Sequence, residues 1–229
     1  MTDYACPSCG ATVTLRSAVA VTAICPYCRT LVVRHGDAVE SIGTMAVLPD
    51  DISPLQINTT GTFGKMGFVL IGRAKIGWAD GCWNEWLMLL DSGEQAWLAE
   101  AQGSLAISRA APKPDGVSDE TLRNLRLGTP LSIDRVGYTV TDLKTAQPLG
   151  YEGEFPADIT PVGTEMLVID LTSENGGFLS ITCVEGNPPE LYEGAYVPFN
   201  DLKLANLREL PGWKTPRRPD TTTGEAKSG

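Results

Sequence analysis

The fold of the N-terminal part of the chain is decided by residues 6–28, which read C-P-S-C-G-A-T-V-T-L-R-S-A-V-A-V-T-A-I-C-P-Y-C. This stretch carries two Cys-x2-Cys pairs, Cys6 with Cys9 and Cys25 with Cys28, and fifteen residues separate the pairs. This spacing is typical of a four-thiolate zinc ribbon, so we predict one Zn²⁺ per chain. Four sulfur ligands leave no position open for water or substrate, which makes the predicted zinc structural. An iron site of rubredoxin type uses the same ligands and is the alternative.

Residues 1–36 form the predicted ribbon unit, which is too small to fold without its metal. Gly10 follows the first cysteine pair, where a knuckle turn often needs a positive φ angle. Arg29 occupies the same place after the second pair, so either the backbone is strained there or the turn differs. Residues 37–54, which include the turn signal L-P-D-D at 48–51, are predicted as a connector.

The rest of the chain is rich in strand-like runs separated by Gly, Asp and Asn turns, and helical periodicity is weak. We predict an all-β protein in which the zinc ribbon precedes two related small modules of β-barrel or β-roll type. The predicted segments are a first module at 55–109, a linker at 110–124, a second module at 125–210 and a disordered tail at 211–229.

The relation between the two modules is inferred from similar segments. They are G-F-V-L at 67–70 with G-Y-T-V at 137–140, residues 86–91 with 166–170, and residues 96–98 with 177–180. A repeat of this length indicates two copies of one β plan. Chance similarity among strand-turn-strand segments is the alternative.

The 229-residue chain is acidic, since 18 Lys and Arg residues against 28 Asp and Glu residues give a net charge of −10. An acidic surface repels phosphate backbones, so nucleic-acid binding is not expected. We find no secretory signal, and no stretch reaches the roughly eighteen apolar residues of a membrane helix. Reduced thiolates that bind metal fit a reducing compartment, so we predict a cytoplasmic protein.

Tryptophans and carboxylates are concentrated between residues 78 and 100. Strand alternation places Trp83 and Glu85 on one face and Trp86 on the other. Trp97 and Glu100 follow after a hairpin turn. Carboxylates beside indole faces can hold a cation, so these five residues are the predicted ligand- or partner-binding site. The alternative is that the tryptophans fill a core and Glu85 lies at its rim.

Recognisable catalytic sets are absent from the sequence. His35 is the single histidine, and neither a phosphate-binding G-x-x-x-x-G-K-[ST] loop nor a G-x-S-x-G elbow occurs. We therefore predict a protein that is not an enzyme. An enzyme that uses Glu85 or Glu100 as acid or base is the alternative, and it requires a raised carboxylate pKa in a concave pocket.

Several short motifs follow one another along the chain. They are C-P-S-C-G and C-P-Y-C in the ribbon, S-P-L-Q at 53–56, G-F-V-L-I-G-R at 67–73, W-N-E-W at 83–86, W-L-A-E-A-Q-G at 97–103, G-E-F-P at 153–156 and L-Y-E-G at 191–194. This series resembles the bacterial domain-of-unknown-function family 4178, although Arg29 stands where that family more usually has glycine. The family has no established activity. The resemblance implies a cytoplasmic accessory component encoded near S-adenosylmethionine decarboxylase-like proteins and small membrane or stress-response proteins.

The leading hypothesis from the sequence is a non-enzymatic zinc-ribbon adaptor. It would mediate protein–protein contact in a bacterial cytoplasmic complex or a peripheral membrane complex, because a closed metal site and a repeated β plan suit binding rather than catalysis. The alternative is a protein that binds a small cationic ligand, such as a polyamine, through the Trp/Glu cluster of the first module.

Overall fold

The computed structural model describes residues 1–36, 38–48, 51–133, 135–156 and 159–211, so the predicted tail lies outside the described residues except for Pro211. Strands dominate these residues, and the predicted all-β class with a four-cysteine cluster in front is confirmed. The strands are β1 (Thr2–Ala5), β2 (Thr12–Leu15), β3 (Thr22–Ile24), β4 (Thr30–His35), β5 (Ala38–Thr44), β6 (Thr60–Phe63), β7 (Met66–Trp78), β8 (Gly81–Leu90), β9 (Gln95–Ala101), β10 (Ser104–Ala111), β11 (Pro130–Ile133), β12 (Val136–Phe155), β13 (Met166–Ser173), β14 (Gly177–Val184) and β15 (Glu190–Tyr196). Helix α1 (Asp119–Arg123) and a 3-10 turn (Phe199–Leu202) complete the elements.

The ribbon consists of a β1–β2 hairpin and the strands β3, β4 and β5. Strand β5 differs from the prediction, because it lies in the segment predicted as a connector and pairs with β4. Few residues of β5 are apolar, so the segment lacks the alternation that identifies a strand. On its other side the ribbon sheet continues through β3 into β12 of the main sheet.

Eight antiparallel strands close into a ring in the order β7-β8-β9-β10-β15-β14-β13-β12 and back to β7. Two seams join the halves of this ring: β10 pairs with β15, and the second half of β12 pairs with β7. The first half of β12 pairs with β13 instead. A closed ring leaves no free edge among its own strands.

The two halves of the ring are copies of one plan, β6–β10 and β11–β15. In the first, Asn58 N–H donates to the Leu70 carbonyl and Leu70 N–H donates to Thr59. In the second, Gly128 N–H donates to the Val140 carbonyl and Val140 N–H donates to the Thr129 carbonyl. The same β-bulge follows in each half, at Leu70/Gly72 and at Val140/Asp142. The structure therefore supports two related modules.

The register of the repeat differs from the predicted one after β7 and β12. Leu70 pairs with Met88 and Val140 pairs with Leu171, which makes Trp86 the counterpart of Ile169 rather than of Met166. The predicted register is wrong because the connections that follow β7 and β12 differ in length. Strand β7 turns into β8 within two residues, whereas a ten-residue segment, 156–165, separates β12 from β13.

The pairing registers of both seams are those expected if a twofold axis relates the two modules. In one seam Ile76 pairs with Pro148 and Trp78 pairs with Ala146, and exchanging the two modules converts each pair into the other. The axis passes through the pair Gly77–Gln147. In the second seam it passes through the pair Arg109–Glu193. The axis therefore crosses the interior of the ring.

Each module encloses its own apolar core on the outer side of the ring. The first core contains Trp86 and Met88, and Leu202 completes it from the end of the chain. The second core contains Leu122 of helix α1, which the sequence placed in a linker. Residues 197–208, assigned by sequence to the second module, thus pack against the first, where Ala205 also bridges to Thr60.

Candidate functional site

The four cysteines predicted as metal ligands form one compact cluster. Their sulfur atoms all lie within 4.8 Å of one another, and the Cys6–Cys28 and Cys9–Cys25 sulfurs are 3.6 and 3.8 Å apart. Tetrahedral coordination with zinc–sulfur bonds of about 2.3 Å puts sulfur atoms about 3.8 Å apart. The cluster can therefore hold a metal ion.

Two equivalent turns position these ligands. Gly10 N–H donates to the Cys6 carbonyl and Arg29 N–H donates to the Cys25 carbonyl, each at 2.9 Å. Gly10 and Arg29 have φ angles of 76° and 62°, so the second knuckle adopts the same turn with a residue that is strained there. The Arg29 guanidinium donates to the carbonyls of Met45 and Ala46, which holds the connector against the ribbon.

The Thr30 hydroxyl also supports the cluster. It lies 3.1 Å from Cys28 Sγ, and its hydrogen bond, together with one from the Thr30 backbone and those from Cys9 and Cys6, lowers the pKa of the Cys28 thiol to about 6. A lowered pKa favours the thiolate form, which is the form that binds metal.

The predicted Trp/Glu cluster is divided between two faces of the first module. Trp83, Glu85 and Trp97 face the interior of the ring, where Trp83 Nε1 donates to Glu85 Oε1 at 3.0 Å. Trp86 and Glu100 lie on the opposite face, and Trp86 is only 1% exposed. The alternation predicted from the sequence is present, but it separates the five residues into two environments.

On the outer face Glu100 belongs to a network of buried polar side chains. It accepts hydrogen bonds from Trp86 Nε1 at 3.0 Å, Asn84 Nδ2 at 3.1 Å and Ser53 Oγ at 2.7 Å. Arg73 extends the network, since its guanidinium donates to Asn84 Oδ1 and pairs with Asp51 at 2.5 Å. These groups have partners within the protein, so the network ties residues 51–53 to the module and leaves Glu100 little freedom for chemistry.

Asp51 carries the negative charge at the centre of this network. Burial alone would raise the pKa of its carboxyl, but the neighbouring Arg73 charge and the hydrogen bonds from Asn84 and Lys75 outweigh burial and lower it. Asp51 is therefore ionised at neutral pH and balances the buried Arg73 and Lys75.

Inside the ring lies a cavity of about 180 Å³, which we call the lumen. Aromatic side chains form much of its wall: Trp97 stacks on Phe155 with 6.3 Å between centroids and meets Tyr192 edge-on at 6.5 Å. Glu85 and Glu190 supply its carboxylates. No basic side chain lines this cavity in the part of the chain that the structure describes.

Glu85 is a lumen carboxyl with a raised pKa. Burial raises the pKa of Glu85, and the negative charges of Asp170 and Glu190 raise it further, against the opposing hydrogen bond from Trp83. Burial also raises the pKa of Asp170, which the Ser180 hydroxyl and Lys144 partly offset. The lumen therefore holds an excess of acidic groups in a poorly solvated space.

Glu190, Tyr151 and Tyr192 line the lumen, and Asp170 lies close enough to raise the pKa of Glu85; the sequence did not indicate these four residues. Burial raises the pKa values of both tyrosines, and the charge of Glu85 contributes to each shift. Asp170 sits within the run M-L-V-I-D-L, where alternation marks it as facing away from Ile169 and Leu171. The sequence therefore shows that Asp170 faces away from the apolar core of the second module. It does not show what Asp170 faces, because that depends on how the two modules pack together.

A larger open groove of about 660 Å³ lies beside α1 on the outside of the second module. Arg123 lines it but donates to the Val184 and Asn187 carbonyls, and Cys183 in its wall is buried. None of the five predicted Trp/Glu site residues lines the groove, and it lacks the aromatic walls of the lumen. We therefore regard the lumen as the better candidate site.

Comparisons with known proteins agree with the motif series. Residues 56–199 match the model of a family described as "Domain of unknown function (DUF4178)", which covers both modules but not the ribbon. No curated protein and no solved structure matches the chain. Among the described residues no helix is long and apolar enough to cross a membrane.

Proposed function

Because the chain belongs to the DUF4178 family, whose function is unknown, we propose a function from the site itself: the protein binds a small organic cation in the lumen. The observation that carries this proposal is the aromatic cavity lined by the carboxylates of Glu85 and Glu190, with the charge of Asp170 close enough to raise the pKa of Glu85. A cation there gains ion pairing in a poorly solvated space and contact with the faces of Trp97 and Tyr192.

The volume of the lumen limits the ligand. About 180 Å³ corresponds to roughly six water molecules at about 30 Å³ each, so a short aliphatic ammonium or diammonium ion fits. Binding is proposed rather than catalysis, although Glu85 meets the condition set for an acid or base, a raised pKa in a concave pocket. Glu100 does not meet it, because its hydrogen bonds hold it on the outer face.

Calorimetry with 1,4-diaminobutane at physiological salt tests the proposal, and 1,4-butanediol serves as the matched neutral ligand. We expect the diamine to bind and the diol not to bind. Glu85→Gln should weaken diamine binding about tenfold or more, because it removes a partly buried charge partner. Glu94→Gln makes the same charge change on an exposed carboxylate and should bind as the wild type does. Equal affinity of the two ligands would refute the proposal.

For the four-cysteine cluster we propose zinc, held by Cys6, Cys9, Cys25 and Cys28 in a structural role, because the donor set is all thiolate and the spacing fits a tetrahedron. Elemental analysis of protein purified without added metal should give one zinc and no iron per chain. Stoichiometric iron would contradict this assignment.

An adaptor role is the second proposed function, and strand β5 favours it. This strand ends the sheet, and nearly all its residues are exposed, including Ile42 at 55%. An exposed edge strand can pair with a strand of a partner protein. We expect Ile42→Pro to reduce recovery of partners in a pull-down from a cytoplasmic extract, whereas Val162→Pro, at an exposed loop position, should not. Identical recovery would count against the role.

A further inference from the structure

The ribbon contacts the ring at the end of β12, where Phe155 packs on Trp97 and both line the lumen. Strand β3 pairs with the end of β12, so that Ala23 lies opposite Glu154 and Thr22 opposite Phe155. Val21 N–H adds a hydrogen bond of 2.9 Å to the Phe155 carbonyl. The ribbon thus continues the strand that supplies one wall of the lumen.

A second set of contacts joins the ribbon to strand β9 as well as to β12. Glu154 Oε2 accepts from the backbone N–H groups of Arg16 at 2.6 Å and Ser17 at 3.3 Å. The Ser17 hydroxyl in turn accepts from Gln95 Nε2 at 3.0 Å, at the start of the strand that carries Trp97. The loop at 16–17 therefore bridges strands β12 and β9, which are not neighbours in the ring.

Apolar side chains fill the space under this bridge. Ile24 and Leu31 of the ribbon belong to the same core cluster as Tyr151 and Phe155, which line the lumen. Met45 packs against that cluster from the connector. Removal of the ribbon would expose this apolar surface, so the docked arrangement is the favoured one when the ribbon is folded.

The metal cluster is linked directly to these contacts. Strand β3 ends at Ile24, and the next residue is the buried ligand Cys25. The core of the ribbon is small and includes the ligand side chains Cys6 and Cys25 themselves. A unit of this kind depends on its metal for folding, and β3 is part of it.

We propose that the metal-bound ribbon is a cap that keeps the lumen closed at the Trp97–Phe155 end, so that loss of the metal opens it. The inference rests on the proposed function, because it takes the lumen to be the cation-binding site. The packing of the ribbon against the ring does not depend on any ligand. Metal loading would then control how fast a cation enters and leaves. A protein whose ribbon has lost its metal would release the ligand faster.

Hydrogen exchange of the full-length, metal-loaded protein tests the docking. A chelator with a reductant should remove the metal, and the amides of Glu154 and Phe155 should then exchange about tenfold faster, because these residues lose β3. Amides of β14, on the far side of the ring, should change little, and added zinc should restore protection. Protection of Glu154 and Phe155 that does not depend on metal would overturn the proposal.

Stopped-flow dissociation of 1,4-diaminobutane tests the consequence for the lumen. We expect the metal-free protein to release the diamine about tenfold faster than the loaded protein. Equal rates would overturn the cap while leaving the proposed function intact. Failure of the diamine to bind either form would instead refute the proposed function, and hydrogen exchange alone would then decide the docking.

Two variants separate docking from metal binding. Glu154→Ala removes the acceptor for Arg16 and Ser17, and Gln95→Ala removes the contact to β9 with less risk to folding. Both should retain one metal per chain, exchange faster at the end of β12 that pairs with β3, read at Phe155, and release the diamine faster. Glu40→Ala, at an exposed site on β5, should behave as the wild type. Wild-type exchange in Gln95→Ala and Glu154→Ala would overturn the cap.

Discussion

Glu85 and Glu100 are the same type of residue in one short cluster, yet they do different things. Glu100 accepts three hydrogen bonds from neighbours on the outer face, whereas Glu85 accepts one and faces the lumen. The sequence predicted their separation through strand alternation. It could not predict which face lines a cavity, because that depends on β12 and β15, which lie far away in the sequence.

Loss of the Glu100 carboxylate should reduce stability without affecting the lumen. Glu100→Ala leaves the buried donors of Trp86 and Asn84 without their acceptor, which should lower the free energy of unfolding by about 1–3 kcal/mol. Urea denaturation measures the change. Diamine affinity should remain that of the wild type, and a large loss of affinity would show that the two faces are coupled.

The raised pKa of Glu85 predicts how stability depends on pH. Folding favours the protonated form of this carboxyl, so its contribution is full below the ordinary glutamate pKa of about 4.3 and is lost as pH rises through the raised value. Glu85→Gln should flatten this part of the stability curve, measured by denaturation across pH 4 to about 8. An unchanged slope would contradict the assignment.

Diamine binding should have the opposite pH dependence. A cation in the lumen favours ionised Glu85, so affinity should increase as pH rises through the raised pKa of this carboxyl. Titrations in two buffers of different ionisation enthalpy should also show proton release on binding at mildly acidic pH. Affinity that is constant with pH would argue against contact with this carboxylate.

At the scale of elements, the ring depends on two seams where strands approach unusually closely. A Cβ atom at Gly153 would overlap the Ile71 carbonyl in the β7–β12 seam, and one at Gly194 would overlap the Ile107 carbonyl in the β10–β15 seam. Gly153 also has a φ angle of 81°. Sequence reasoning identified the starts of β7 and β12, G-F-V-L and G-Y-T-V, but not the second half of β12, β15 or the seams, because pairing between distant strands leaves no local pattern.

Gly153→Ala should therefore destabilise the protein strongly. Both the positive φ angle and the overlap with Ile71 oppose a side chain, so we expect a loss of at least about 3 kcal/mol in thermal or urea unfolding. Gly163→Ala is the control, since φ is 83° there but the nearest atom is 4.0 Å away. It should cost about 1–2 kcal/mol. Equal losses of unfolding free energy in the two variants would mean that the close approach of Gly153 to Ile71 does not oppose a side chain.

At the scale of the whole molecule, the twofold relation of the modules does not extend to the lumen residues. Glu85 corresponds to Val168 and Trp97 corresponds to Ser180, so the second module lacks both groups. The repeat was predictable from two similar glycine-initiated strands, G-F-V-L and G-Y-T-V. The closure of the two copies into one ring was not.

This asymmetry predicts one cation per chain. A site repeated by symmetry would bind two, but only one set of acidic and aromatic residues is present in the lumen. Calorimetry of the metal-loaded protein with 1,4-diaminobutane should give a stoichiometry of one. A stoichiometry of two would place binding outside the lumen.

The return of residues 197–208 to the first module has a consequence for synthesis on the ribosome. Leu202 is 1% exposed in the first core, yet it is made only after the entire second module. The first module therefore emerges with an unfilled core, which is completed only after the second module has been made. Its final packing comes last, so folding is dominated by contacts of long sequence separation, which form slowly.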